Sequence, residues 1–136
     1  SELPVELGLT TNAILLDRFI PLLKEVGLRK VNISLDSLDA VKNLFMVKRD
    51  EFDRIMGNIE ALMEAGIFPK INSVLIKGVN DNEIIPFVEL TKKYPVQVRF
   101  IEFMPFTGTF HAPSMYLCIA QLCYFFFFLL HSMVAY

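Results

Sequence analysis

Apolar residues between positions 7 and 103 follow two alternating periods. Short runs with apolar side chains at every second position predict four strands, at 7–11, 30–35, 70–76 and 96–103. Longer stretches with apolar residues three and four positions apart predict helices at 15–26, 52–65 and 83–93. Strands that alternate with helices in this way are typical of βα units built on a parallel sheet.

Residues at the ends of these segments support the helices. Gly27 and Gly66 follow the first two helices as expected C-terminal glycines, and Asp50 is the expected N-cap of the second. Pro86 falls in the first turn of the third helix, where a proline is tolerated.

The four strand-helix units fit half of an eight-stranded βα barrel or part of an open doubly wound sheet. We favour the α/β half barrel, because no glycine-rich dinucleotide fingerprint follows any of the strands. Such a half barrel has two unpaired strand edges and an uncovered interior face.

Charge divides the chain into two parts. The sequence contains 13 Lys and Arg and 15 Asp and Glu residues, and all of them lie at or before Glu102. We therefore predict a partial barrel domain over residues 1–108 and an uncharged hydrophobic tail over 109–136. The chain begins at Ser1 without an initiator Met, and we expect it to be an internal fragment of a longer protein.

The tail has two interpretations. Residues 115–136 are long and apolar enough for a membrane-spanning helix, but no Lys or Arg flanks them to set its orientation. Translated non-coding sequence would explain why charge and barrel pattern end together. We favour this non-native continuation over the membrane span.

Composition excludes some kinds of partner. The net charge of −2 provides no basic surface of the kind that binds nucleic acid. The two cysteines, Cys118 and Cys123, have neither zinc nor iron–sulfur spacing and are interpreted as apolar residues of the tail. His111 and His131 have no partners at ligand spacing, so we predict no metal site in this chain.

Candidate functional residues lie at the carboxyl ends of the strands, where βα barrels carry their active sites. These positions are Thr10, Thr11, Asn12, Ser34, Asp36, Leu75, Ile76, Lys77, Glu102, Phe103 and Met104. Capping and turn roles explain Asn12 and Asp36 equally well. Lys70 lies at the start of its strand, and position alone favours an ordinary surface lysine there.

Four motifs together resemble a known family. They are TTN at 10–12, VNISLD at 31–36, KIN at 70–72 and RFIEFMPF at 99–106. In order and spacing, over residues 8–108, they are similar to the GTP 3',8-cyclases, the radical S-adenosylmethionine enzymes that begin molybdenum cofactor biosynthesis. TTN or SLD alone is a weak signal, whereas the set with RFIEFMPF is specific.

The resemblance implies a partial triose-phosphate-isomerase-type barrel that uses S-adenosylmethionine and [4Fe-4S] clusters. In that family a 5'-deoxyadenosyl radical abstracts hydrogen from the ribose of GTP, which cyclises to (8S)-3',8-cyclo-7,8-dihydroguanosine 5'-triphosphate. By the same resemblance, Thr10 and Lys70 contact GTP, while Ser34 and Met104 contact S-adenosylmethionine. It further implies a homo-oligomer, mitochondrial if eukaryotic and otherwise cytoplasmic.

The chain also departs from the family pattern. Ala13 stands where the family has glycine, and the C-x3-C-x2-C triad, the GGEP segment and the C-terminal cluster cysteines are all missing from these 136 residues. Without a thiolate-held cluster there is no electron source, so we expect this chain alone to be catalytically silent. Two non-catalytic alternatives stay open, a membrane-associated protein and a nucleotide-binding module that reuses half a barrel.

Overall fold

A computed structural model describes residues 7–103 of the chain. In this range the regular elements alternate along the chain as β1 (Leu9–Thr11), α1 (Ile20–Glu25), β2 (Lys30–Ser34), α2 (Ala40–Val47), α3 (Phe52–Glu64), β3 (Phe68–Leu75), α4 (Ile84–Lys93) and β4 (Gln97–Glu102). Short 3-10 helices at Leu16–Arg18 and Asp81–Glu83 precede α1 and α4.

The four strands form one parallel sheet in the order β1-β2-β3-β4. Each strand is paired with the strand that precedes it in sequence, which is the arrangement of consecutive barrel strands. The predicted α/β half barrel is therefore confirmed. Among the described strands, β1 and β4 each have one neighbour and form the two edges of the sheet.

One face of the sheet is covered by helices. Its strand residues include Val31, Ile33 and Ile71, none of which is exposed to solvent. They pack in one cluster with Ile59 of α3 and Phe87 of α4. Since side chains alternate between the two faces of a strand, the intervening residues point to the opposite, uncovered face.

Three predicted boundaries agree with the structure. Gly27 and Gly66 adopt φ values of 75° and 78°, the left-handed conformation expected of a glycine that follows a helix. Pro86 lies in the first turn of α4, as predicted.

The predicted helix at 15–26 is wrong as one continuous element. Phe19 N–H bonds to the Leu16 carbonyl in a 3-10 turn, and α1 begins only at Ile20. The physical reason is Pro21, which lacks the N–H needed to continue an α-helix from the preceding turn. Much of the predicted apolar face is also exposed, including Phe19 and Leu22.

Two further differences concern the segment between β2 and α3. The sequence pattern did not predict α2, whose N-cap Asp39 accepts hydrogen bonds from Val41 N–H (2.9 Å) and Lys42 N–H (3.0 Å). Its apolar side chains do not form a buried stripe, since Val41 and Phe45 are each 76% exposed. The expected N-cap Asp50 is also wrong, because Glu51 occupies that position and its side chain makes no capping bond.

Candidate functional site

The uncovered face of the sheet carries polar side chains in two rows that run across the strands. The first row is set by the pairing of Thr10 with Asn32, Asn32 with Lys70, and Lys70 with Gln97. We call these four residues row one. Neighbouring strands lie about 4.8 Å apart, so side chains in one row can contact the same small molecule.

The second row lies two residues further along the strands. Ser34 pairs with Asn72, and Asn72 pairs with Arg99. We call these three residues row two. It is the row nearer the carboxyl ends of the strands, the end at which βα barrels bind their ligands.

Row one brings together Thr10 and Lys70, the residues that the family resemblance assigned to GTP. Asn32 lies between them, and its Nδ2 donates to Thr10 Oγ1 at 3.4 Å. Thr10 is exposed and Lys70 is half-buried, so both side chains are accessible. Lys70 also lines a cavity of about 280 Å³ near the start of the strands, together with Lys30 and Gln97.

Row two contains Ser34 and a residue that sequence reasoning did not single out, Asn72. The Oδ1 atom of Asn72 is buried and has no hydrogen-bond partner among the described residues. A buried acceptor without a partner costs about 1–3 kcal/mol. Asn72 Oδ1 therefore fits a ligand that donates a hydrogen bond, such as an amine or a ribose hydroxyl.

Cationic side chains lie on the strands of this face, and the nearest carboxylate, Asp36, follows the end of β2. The strand residues of this face include Lys30, Lys70 and Arg99, and no Asp or Glu alternates onto the same face within β1 to β4. A concentration of one sign of charge attracts the opposite sign. The face is therefore electrostatically matched to an anionic ligand such as a triphosphate.

The turn after β1 is held in an unusual conformation. Ala13 has a φ of 64° and no solvent exposure. Thr11 Oγ1 accepts from Ala13 N–H at 3.1 Å, and Asn12 Oδ1 accepts from Ile14 N–H at 3.2 Å. From α3, the buried Asn58 Nδ2 donates to the Ala13 carbonyl at 2.7 Å. The structure thus gives Asn12 a turn role, one of the two roles that the sequence left open.

Asp36 lies beyond the end of β2 and bonds to β3. Its Oδ1 accepts from Val74 N–H at 2.8 Å. Burial raises the pKa of the Asp36 carboxyl, and the hydrogen bond from Val74 partly offsets that rise. The Asp36 carboxylate therefore connects the end of β2 to the end of β3. Val74 lies two residues beyond Asn72 of row two.

Two parts of the predicted site are not in the described range. Met104, assigned to S-adenosylmethionine, lies one residue past it, and the tail at 109–136 lies wholly outside. Over residues 7–103, no helix is both long and apolar enough to cross a bilayer.

An iron–sulfur cluster does not fit the described side chains. Both cysteines of the chain lie beyond residue 103, and within 7–103 no group of three or more His, Cys, Asp or Glu side chains is arranged to hold a metal ion. We therefore derive no chemical step through a cluster. The unpartnered Asn72 Oδ1 is chemically compatible with the amine and hydroxyl donors of S-adenosylmethionine.

Comparison with protein families identifies the class. The model of the Radical SAM superfamily matches residues 2–91. The chain belongs to the Radical SAM superfamily, which agrees with its parallel α/β sheet.

Curated relatives narrow this class to one branch. The chain is 50% identical over 105 residues to "Molybdenum cofactor biosynthesis protein moc-5" of Caenorhabditis elegans, covering 76% of this chain and 17% of that protein. It is 50% identical over 103 residues to "GTP 3',8-cyclase, mitochondrial" of Arabidopsis thaliana, covering 75% and 26%. A "GTP 3',8-cyclase" of Clostridium botulinum (strain Hall) is 46% identical over 101 residues, covering 74% and 32%.

These relatives confirm the resemblance to the GTP 3',8-cyclases that the sequence motifs indicated. The chain spans between about a sixth and a third of the length of these relatives.

Proposed function

We propose that this chain supplies a ligand-binding part of a GTP 3',8-cyclase, the enzyme that converts GTP to (8S)-3',8-cyclo-7,8-dihydroguanosine 5'-triphosphate in molybdenum cofactor biosynthesis. In this proposal Thr10 and Lys70 contact GTP, and Ser34 and Met104 contact S-adenosylmethionine. The single observation that carries it is the two-row arrangement on the uncovered face. Relatives with the cyclase name support the reaction.

Row one suits the nucleotide for electrostatic reasons. The Lys70 ammonium can neutralise a phosphate as a point charge, and Arg99 on the same face makes it more attractive to a triphosphate. The Thr10 hydroxyl can donate to or accept from a nucleoside group. Asn32, bonded to Thr10 Oγ1, keeps that hydroxyl oriented between the two strands.

Row two suits S-adenosylmethionine because Ser34 and Asn72 provide hydroxyl and amide groups, while Arg99, the third residue of the row, is matched to the carboxylate of that ligand. The Ser34 hydroxyl and the unpartnered Asn72 Oδ1 lie side by side on adjacent strands. Bound S-adenosylmethionine supplies the radical chemistry of the family, whereas these residues bind and orient it. Asn72 is thus added to the residues assigned to this ligand.

We further propose that a protein made of these 136 residues alone binds ligands without turnover. Its two cysteines cannot form the thiolate set that a [4Fe-4S] cluster needs, so the electron that cleaves S-adenosylmethionine has no source. The mitochondrial name of the Arabidopsis relative supports a mitochondrial location if the source is eukaryotic, and for a bacterial source we propose a cytoplasmic one.

Binding measurements on the 136-residue chain test the ligand assignments. Isothermal titration with GTP and with S-adenosylmethionine should give saturable binding of both. Lys70→Ala should weaken GTP by about tenfold or more, since a contact to a charged group contributes about 1.5–3 kcal/mol. Lys92→Ala, which removes an exposed lysine of α4, is the matched control and should leave GTP affinity unchanged.

Ser34→Ala provides the reciprocal test. It should weaken S-adenosylmethionine and leave GTP affinity unchanged, while Lys70→Ala should do the reverse. Equal effects of both variants on both ligands would contradict the two-row assignment. After reconstitution with iron, sulfide and a reductant, detection of 5'-deoxyadenosine would overturn the proposal that the chain is silent.

A further inference from the structure

Asn80 joins the segments that follow β2 and β3. Its side chain is fully buried, and Nδ2 donates to the carbonyls of Asp36 (2.6 Å) and Val74 (2.8 Å). Its Oδ1 accepts from Ile76 N–H at 2.8 Å. One amide therefore satisfies three backbone groups that belong to two neighbouring strand ends.

Glu83 forms a second connection between the same two segments. Its carboxylate is buried and accepts from the Ser37 hydroxyl (2.9 Å to Oε2) and from Leu38 N–H at 2.7 Å. Lys42 completes the group with an ion pair to Glu83 Oε1 at 3.1 Å. This connection acts further from the sheet, on the loop that leads into α2.

The Asn80 connection lies immediately beyond row two. Asp36 follows Ser34 by two residues, and Val74 follows Asn72 by two residues. Between them, Leu35 N–H donates to the Asn72 carbonyl at 3.0 Å. Asp36 and Val74 are therefore the neighbours through which a change in strand spacing would reach Ser34 and Asn72.

We propose that Asn80 is a positioning residue for row two: it fixes the separation of Ser34 and Asn72, and through it the affinity for S-adenosylmethionine, without touching the ligand. This inference rests on the proposed function of row two. Ser34 and Asn72 are the last pair of the β2–β3 ladder, next to the bonds of Asn80, whereas row one lies two residues earlier and has ladder pairs on both sides. Asn80 therefore acts selectively on one of the two rows.

Asn80→Asp is the sharpest test. Aspartate keeps the size of the side chain and the Oδ1 acceptor, but it removes both amide donors and adds a negative charge. Asn82→Asp adds the same charge two residues away, at an exposed position where the side chain keeps its acceptor for Lys42 Nζ (2.8 Å), and is the matched control. For each variant the affinities for S-adenosylmethionine and for GTP are measured by titration, with amide hydrogen exchange at Leu35 and Val74.

We expect Asn80→Asp to lower the affinity for S-adenosylmethionine about tenfold and to change the affinity for GTP by less than about twofold. The tenfold loss is the order of magnitude expected when hydrogen bonds to buried carbonyls are lost. Exchange at Leu35 and Val74 should become faster, and Asn82→Asp should match the parent chain throughout. A merely structural role would weaken both ligands together. That result, or an S-adenosylmethionine affinity equal to that of the control, would overturn the inference.

Two outcomes separate this inference from the proposed function. If the parent chain binds neither ligand, the proposed ligand binding by this chain is wrong. The positioning role of Asn80 is then judged by amide exchange: faster exchange at Leu35 and Val74 in Asn80→Asp, but not in Asn82→Asp, supports it, and unchanged exchange refutes it. If Ser34→Ala weakens S-adenosylmethionine and Asn80→Asp does not, the positioning role fails alone. Should Asn80→Asp not fold, Asn80→Ser retains one donor and should give an intermediate loss of affinity.

Discussion

Asn58 of α3 offers the most direct test of how the turn after β1 is held. Its side chain is 5% exposed, and Nδ2 donates to the carbonyls of Ala13 (2.7 Å) and Ile14 (3.3 Å). Asn58→Ala leaves both carbonyls without this partner beside an Ala13 that has no solvent exposure. Each lost bond to a buried carbonyl costs about 1–3 kcal/mol; the Ala13 carbonyl still accepts from Leu16 N–H at 3.3 Å and the bond to Ile14 is long, so both costs fall in the lower part of that range.

The expected loss for Asn58→Ala is therefore about 2–4 kcal/mol of the free energy of unfolding, a large fraction of the roughly 5–15 kcal/mol of a typical domain. Urea unfolding followed by circular dichroism measures it, with an unchanged m-value. Asn12→Ala is the control, because Asn12 is exposed and makes one local bond to Ile14 N–H. It should cost about 0.5–1 kcal/mol. Equal losses for the two variants would refute the reasoning.

Two further substitutions test other features of the described sheet. Ala13→Gly relieves left-handed backbone strain of about 1–2 kcal/mol, but it also removes a buried methyl group worth about 0.8 kcal/mol and makes the unfolded chain more flexible, so the free energy of unfolding in urea should change by less than about 1 kcal/mol. Ala13→Val places a branched side chain at a φ of 64° and should be clearly destabilising. Equal stability of the two variants would contradict this account. Burial raises the pKa of Asp36 in the folded state, so the folded protein binds this proton more tightly than the unfolded chain does, and the contribution of Asp36 to stability falls as pH rises through its folded pKa. Asp36→Asn keeps an acceptor for Val74 N–H and should therefore have a larger free energy of unfolding than the parent at about pH 7, with a difference that shrinks toward about pH 4. Urea unfolding at both pH values measures this difference. A difference that does not depend on pH would show that Asp36 does not carry the effect.

Much of the fold could be predicted because parallel strands and buried helices leave strong periodic signals. The predicted strand at 30–35 and helix at 52–65 agree with β2 and α3 to within one residue at each end. The segment 40–47 gave no such signal, because α2 exposes Val41 and Phe45 and is fixed instead by the Asp39 cap. The start of α2 is therefore set by the hydrogen bonds of the Asp39 cap and not by a buried apolar face.

The candidate site was harder to predict because it depends on how strands align. Lys70 is the third residue of β3, and its sequence position argued against a role; only the pairing of β2 with β3 puts it in the same row as Thr10. Asn72 lies in the KIN motif at 70–72, but nothing in the motif itself predicts a role for it. Its spacing of two from Lys70, which puts both side chains on one face of a strand, was the signal that could have found it.

The register of the sheet has a consequence for any reaction between two bound molecules. Rows one and two are two residues apart, and a parallel strand rises about 3.3 Å per residue, so the rows are separated by about 6.6 Å. That distance is shorter than a nucleotide. A molecule bound at Lys70 and another bound at Ser34 would therefore be in contact. The rise per residue of the strands would then set how closely their reacting atoms approach.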